Sequence, residues 1–125
     1  MDFAHLHVHT QYSILDGAAP ISSLFARAKE YGQKAIAITD HGNMFGVKEF
    51  LNTSSKYPEV KPIVGCEVYV ALEGRSVRKG KEGMGDRHLI LLAENKDGYK
   101  TLVKLASYAY IEGFYYRPRI DRELL

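Results

Sequence analysis

Residues 34–39, KAIAIT, decide the fold. This short apolar run follows Gly32 and stops at Asp40, and runs of that kind form strands buried on both faces of a parallel sheet. Upstream, Pro20 sits where the first turn of a helix tolerates proline, and Ile21, Leu24, Phe25 and Ala28 recur at helical spacing. The spacing predicts a helix that closes at Gly32. Before it, FAHLHVH at 3–9 alternates and reads as a first strand. Downstream, a second helix gathers Val47, Phe50 and Leu51 on one face. Pro62 then introduces the β-branched run IVGCEVYV at 63–70, where its missing donor does a strand no harm. HLILLA at 88–93 supplies a fourth strand, and Tyr99, Leu102, Val103 and Ala106 mark the helix after it.

Strand and helix signals thus alternate, the pattern of βα units around a parallel sheet. The chain has 125 residues, enough for one domain. Four βα units amount to about half of a closed barrel, whose typical size is near 250 residues. The expected fold is therefore α/β, an incomplete TIM-like barrel, with residues 1–125 the front portion of a single truncated domain. The ending RPRIDRELL at 117–125 reads as the approach to a further helix. A parallel sheet left open at its last strand invites copies of the chain to associate or to swap elements.

Composition excludes several classes. With 46% apolar, 11% aromatic and 26% charged residues, the chain is neither disordered nor fibrous. No stretch approaches the roughly 20 consecutive apolar residues of a membrane-spanning helix. The opening MDFAHLHVHT lacks the basic start and apolar core of a secretory signal. The expectation is a cytoplasmic protein with no membrane contact. Cys66 is the only cysteine, so an intrachain disulfide and a multi-cysteine zinc knuckle are both excluded. Any metal must be held by His, Asp and Glu.

Basic and acidic residues nearly balance, 17 against 15, but their distribution is uneven. Residues 73–87, EGRSVRKGKEGMGDR, hold five basic residues against three acidic ones, which leaves 12 against 12 elsewhere. A basic, glycine-punctuated loop suits phosphate backbones, so Arg75, Arg78, Lys79 and Lys81 are candidate nucleic-acid contacts. Such loops also occur as plain soluble surface.

The five histidines are placed with more pattern than chance suggests. His7 and His9 are two apart on a predicted strand, so both imidazoles point the same way and can reach one ion. Asp16 follows in the next loop as a hard oxygen ligand. His41 lies just past the second strand, at the end where active sites of βα barrels collect. Glu67 is a carboxylate inside an apolar strand, directed opposite to Cys66 and Val68, and a buried carboxylate needs a cation or donors beside it. His88 opens the fourth strand. Asp40 is read as the catalytic-site carboxylate that orients histidine ligands. Simpler readings exist. Two histidines on one face also occur as surface residues, Asp beside Gly is commonly a turn residue, and His5 is assigned to ordinary packing.

Taken together, HLHVHTQYSILDG at 5–17, AITDHGNMFG at 37–46, KPIVGCEVYVA at 61–71 and the block from HLILLAENKDGYK at 88–100 to PRIDRELL at 118–125 closely resemble one family. It is the polymerase and histidinol phosphatase (PHP) domain at the amino terminus of bacterial replicative DNA polymerase alpha subunits. The resemblance covers nearly the whole chain and implies a seven-stranded distorted (β/α) barrel with a multinuclear metal cluster at the carboxyl ends of its strands. The implied ligands are His7, His9, Asp16, His41, Glu67 and His88. The family completes its site with a further Cys or His and a distal Asp-x-His pair, and the chain has no such residues after His88. Weak metal occupancy and no appreciable hydrolysis are therefore expected of the chain alone. His88 fits this picture awkwardly, since it begins its strand while the site lies at strand ends.

Mixed imidazole and carboxylate ligands favour Zn²⁺ or Mn²⁺, with iron as a further option, over Mg²⁺ or Ca²⁺. Clustered divalent ions suit hydrolysis of phosphate esters. The resemblance implies a DNA-directed DNA polymerase as the parent protein, with a 3′-5′ exonuclease or other phosphoesterase in the completed domain. Its implied partners are primed DNA and other subunits of the replicative polymerase. Two alternatives remain: a catalytically inert structural module, and a free-standing small-molecule phosphatase of the histidinol phosphatase type.

Overall fold

In the computed structural model the chain is described at residues 3–79 and 86–125. Its elements run α1 (Ile21–Glu30), β1 (Ala35–Ile38), α2 (Val47–Ser54), β2 (Lys61–Val70), β3 (Arg87–Leu92), α3 (Lys96–Ile111) and β4 (Arg119–Ile120). Among the described residues no helix is long and apolar enough to cross a membrane.

β2 is the spine of the sheet. Along one edge it pairs in parallel with β1, from Ala35↔Lys61 to Ile38↔Val64. Farther along it pairs in parallel with β4, Tyr69↔Arg119 and Val70↔Ile120. Between them His41 bridges Glu67. The other strand on β2 departs from the expected parallel order, because β3 is antiparallel, from Gly65↔Leu92 to Val70↔Arg87. The sheet is therefore mixed. The 71–86 connection carries no helix among its described residues, and a crossover helix is what a parallel return would need.

The first expected strand is present only in part. Ala37 N–H donates to His5 O at 2.9 Å and Thr39 N–H to Val8 O at 2.8 Å, so 3–9 runs beside β1. The two bonds span three residues on one side and two on the other. The extra residue breaks the ladder as a bulge does, and the Thr39 hydroxyl accepts the Val8 N–H at 2.8 Å. Bulges re-aim side chains, and this one lies next to His7.

Two apolar clusters flank the sheet. In the first, Ile21, Phe25 and Ala28 of α1 and Val47 and Phe50 of α2 pack on Ile36 and Ile38, with the Phe25 and Phe50 rings 4.8 Å apart. Burying each large side chain contributes about 1.5–3 kcal/mol. α1 starts after Pro20 and stops where Gly32 takes φ +66, with Gln33 N–H on Ala28 O and Gly32 N–H on Lys29 O. In the second cluster Cys66 and Val68 meet Ala109 of α3 and Ile120 of β4. Asn95 caps α3, its Oδ1 accepting from the N–H groups of Asp97 and Gly98.

Helical faces differ in detail from the expected ones. α2 buries Val47 and Phe50 but leaves Leu51 exposed. α3 has two apolar stripes, and the one that faces inward is Leu102, Leu105 and Ala109. Tyr99 and Val103, which mark the helix in the sequence, are exposed and line an open groove beside Met44. The 117–125 ending forms β4 and a turn, in which Asp121 Oδ1 accepts the Leu124 N–H at 3.2 Å.

Candidate metal centre

Successive side chains of β2 point to opposite faces. Cys66 and Val68 enter the second apolar cluster, which turns Glu67 and Tyr69 to the other side. Gly65 lets the strands close there: a Cβ on it would lie 2.6 Å from Leu91 O and 3.0 Å from Thr39 Cγ2. Glu67 is 1% exposed, and its surroundings are imidazoles rather than lysine or arginine.

Each carboxylate oxygen serves a different pair. Glu67 Oε2 lies 2.7 Å from His7 Nε2 and 3.4 Å from His9 Nε2. Glu67 Oε1 lies 2.7 Å from His41 Nδ1 and 2.7 Å from His88 Nδ1. His41 turns its Nε2 to Asp16 Oδ2 at 3.0 Å. All six sequence-assigned ligands are thus brought to one place. His7 Nε2 and His9 Nε2 stand 2.9 Å apart. Two sets of ligand atoms, His7–His9–Glu67 and His41–Glu67–His88, each fall within 4.8 Å, and Glu67 is common to both. Such spacing suits metal–ligand bonds of about 2.0–2.2 Å.

The antiparallel pairing of β3 explains His88. Its amino-terminal end lies beside the carboxyl end of β2, with His88 opposite Tyr69, one diagonal step from Glu67. The site remains at the carboxyl ends of β1 and β2, and β3 reaches it with its beginning.

Burial holds the His9 pKa below its ordinary value, the neighbouring His41 adds to this, and Glu67 works against it. A neutral imidazole, with a lone pair free for a cation, is the form this favours at neutral pH. Burial also pushes the Cys66 thiol up to about 12, with the Asp40 and Glu67 charges adding to it. That thiol is inert at neutral pH.

Asp40 differs from its expected role. It is 2% exposed, and its carboxylate is bonded by Thr10 and Ser13 rather than by a histidine. Its Oδ1 accepts the Thr10 N–H at 2.6 Å and the Ser13 hydroxyl at 2.7 Å, and its Oδ2 accepts the Thr10 hydroxyl at 2.8 Å. Both oxygens are taken, so Asp40 fastens the 10–13 loop and makes no direct bond to an imidazole. Its influence on the ligands passes through Ser13, whose Oγ lies 3.3 Å from His9 Nδ1 and accepts the His41 N–H at 3.2 Å.

Ser13 and Tyr69 were not singled out from the sequence. The Tyr69 ring stacks on His41 at 6.2 Å and meets His88 edge-on at 5.0 Å. Its position two residues after Glu67 on one strand was the available signal. Ser13 lies in a loop, where no periodicity marks a face.

Of the basic-loop candidates, Arg75 is engaged by Glu112, Asp121 and Glu123 at 2.8–3.1 Å. These contacts assign it to the fold and not to a phosphate. Arg78 donates to Glu112 O at 3.3 Å, and Lys79 is on the described part of the loop. Lys81 lies outside the described residues.

Comparison with known proteins fits this geometry. The profile of the PHP domain matches residues 5–125, and the chain belongs to that family. It is 53% identical over 127 residues to the DNA polymerase III subunit alpha of Treponema pallidum, covering 100% of this chain and 11% of that one. Against the subunit of the same name from Thermus aquaticus it is 53% identical over 129 residues, covering 100% and 10%. The chain therefore spans about a tenth of the length of these relatives. Among solved structures, one described as a metal-dependent phosphoesterase of Bifidobacterium adolescentis superposes with TM-score 0.56 at 19% identity, over 87% of this chain and 35% of that one. An amidohydrolase of Chromobacterium violaceum superposes with TM-score 0.55 at 20% identity, over 84% and 34%. The α/β fold is shared with both.

Proposed function

We propose that the chain is the front portion of the PHP domain of a bacterial replicative DNA polymerase. Its cluster is a metal-dependent phosphoesterase centre, which removes 3′-terminal nucleotides once the domain is complete. DNA synthesis in this reading belongs to other parts of the same protein, which works on primed DNA with its partner subunits.

The observation that carries the reading is the seating of Glu67: a carboxylate at 1% exposure, with two imidazoles on each oxygen. Burying a charge without a cation is costly, and neutral imidazoles compensate it only in part. The donor set fits a divalent cation. His7 and His9 with Glu67 Oε2, and His41 and His88 with Glu67 Oε1, would hold ions, with Asp16 beside His41. Nitrogen and oxygen donors favour Zn²⁺ or Mn²⁺, with iron a further option. Such ions supply a hydroxide source near neutral pH and polarise the phosphoryl oxygen.

The residues of the chain leave the attack to water. The Ser13 hydroxyl is committed to Asp40, and the Cys66 thiol is buried and protonated. Glu67 fixes both imidazole pairs at once, and the Asp40–Ser13 pair holds the loop under His9 and His41. The loop cations Arg78, Lys79 and Lys81 are assigned to sequence-independent contact with DNA phosphates; Arg75 is not.

The test is His9→Ala in the full-length polymerase. Release of 3′-terminal nucleotides from labelled DNA is expected to fall by about 100-fold or more, as for loss of a metal-held reaction. Primer extension is expected to persist. Unchanged nucleotide release with a lowered melting temperature would leave the domain a structural module. Hydrolysis of histidinol phosphate with no action on DNA would assign it to the small-molecule phosphatases.

A further inference from the structure

Beside the cluster opens a cleft of about 490 Å³, lined by Asp16, His41 and His88 and, beyond them, by Phe45, Tyr116 and Arg117. The last three have no part in holding ions. The Arg117 guanidinium lies 5.0 Å over the Tyr69 ring. Tyr69 stacks on His41 at 6.2 Å, and His41 stacks on His9 at 3.9 Å. A column of flat groups therefore runs from a cation in the cleft to the ligands of the cluster.

Arg117 is poised for an anion. Among the described residues Arg27 and Arg75 are paired with carboxylates and Arg119 with carbonyl oxygens, whereas no carboxylate lies within ion-pair distance of Arg87, Arg117 or Arg122, and of these three Arg117 lines the cleft. The segment that presents it is strained, since Tyr116 takes φ 60, a left-handed conformation that bulky residues rarely adopt. Neighbours hold it there. Tyr115 N–H donates to Arg117 O at 3.0 Å, and Pro118 lies against Gly42, where an added Cβ would stand 2.7 Å from Pro118 Cγ. Strain kept in place by its surroundings is characteristic of ligand clamps.

Phe45 forms another part of the lining. It is 63% exposed, yet its loop is fixed: Asn43 Oδ1 accepts the Phe45 N–H at 3.1 Å, and Asn43 Nδ2 donates to Tyr12 O and His41 O. A second hollow of about 450 Å³ shares Phe45 with the cleft and continues along Lys48, Asn52 and Lys56 of α2 and the turn after it. An aromatic ring thus stands between the ligand cluster and a surface that carries Lys48 and Lys56, with Glu49 of the same hollow held by the Tyr12 hydroxyl at 2.9 Å.

We propose that the cleft is the seat of a terminal nucleotide: Arg117 takes a phosphate, the Phe45 ring stacks a base, and Lys48 and Lys56 take phosphates of the nucleotides that follow. The substrate is then a single-stranded polynucleotide end and not a small phosphomonoester. This rests on the phosphoesterase reading of the cluster. A guanidinium fork matches two phosphate oxygens, and base–aromatic stacking is tolerant of sequence.

The experiment uses the full-length protein and two readouts. In the first, chelator-treated protein is irradiated with an oligothymidylate ending in 4-thiothymidine, and the attached peptides are identified by mass spectrometry. Attachment within residues 43–46 or 114–118 is expected, and Arg117→Ala lowers its yield about tenfold, with partial recovery in Arg117→Lys. In the second, Mn²⁺-loaded protein degrades a labelled single strand. Arg117→Ala and Phe45→Ala each raise KM about tenfold while kcat stays within about threefold. Attachment elsewhere, or unchanged KM in both variants with hydrolysis intact, overturns the seat and leaves the phosphoesterase reading standing. Attachment at the seat without hydrolysis by the loaded wild type overturns that reading and leaves the seat. Should Arg117→Ala melt early, Arg117→Lys and Phe45→Ala carry the same test.

Discussion

Glu67 and Arg119 are both 1% exposed and sit on paired strands, yet they are held in opposite ways. Arg119 donates to three backbone carbonyls, those of Gly113, Arg75 and Val77 at 2.7–3.0 Å, and its guanidinium lies 5.2 Å from the Tyr115 ring. Those dipoles are permanent and none can leave. Glu67 is surrounded by four imidazoles, each able to gain a proton or give its lone pair to a metal. A buried charge saturated by backbone fastens the fold; a buried charge ringed by exchangeable partners marks a site.

The contrast is broken most directly at Arg119. Arg119→Met leaves three carbonyls without their donor, and a stability loss of about 3–5 kcal/mol is expected. Denaturant unfolding measures it, and the loss should be the same with and without chelator. A variant that unfolds with the wild type would mean that Arg119 fastens nothing. Glu67→Gln sharpens the other half. Taking away a buried charge relieves its desolvation, so metal-free stability is expected to stay within about 1 kcal/mol of wild type. What disappears is the response to metal. Wild-type protein at Zn²⁺ a hundredfold above its Kd gains about 2.7 kcal/mol, and the variant should gain almost none. An equal rise in melting temperature on adding Zn²⁺ to both proteins would remove Glu67 from the centre.

The same contrast shows how far the sequence could be read. Glu67 was legible because a carboxylate in an apolar strand contradicts its neighbours, and because His7, His9, Asp16, His41 and His88 belong to residue types that bind metals. Their convergence on one centre was what the family resemblance implied. Arg119 was not legible: its partners are backbone carbonyls from loops distant in the chain, and carbonyls carry no residue identity. The antiparallel course of β3 was hidden for a related reason. An apolar run such as HLILLA has no direction of its own, and the sign of it was the awkward place of His88 at the start of a strand. The helix of α3 was legible but its inward face was not, because Tyr99 and Val103 have helical spacing too while Leu102, Leu105 and Ala109 are the residues that turn inward.

Between the two kinds of buried charge lies Asp40, fixed by Thr10 and Ser13 yet only one hydroxyl removed from the ligands. If it is a fastener that also serves the site, cutting the link at Ser13 should weaken metal binding without abolishing it. Ser13→Ala removes the contact to His9 Nδ1 and the acceptor for the His41 N–H, while Thr10 still holds Asp40. Loss of such an orienting partner typically costs 10- to 100-fold in affinity, and about tenfold is expected here, because both imidazoles keep their contacts to Glu67. Competition for Zn²⁺ with a chromophoric chelator measures the change. Affinity equal to wild type would place Ser13 with Arg119, as a group that shapes the loop only. Complete loss would place it with Glu67, because the two imidazoles then could not keep their aim without it.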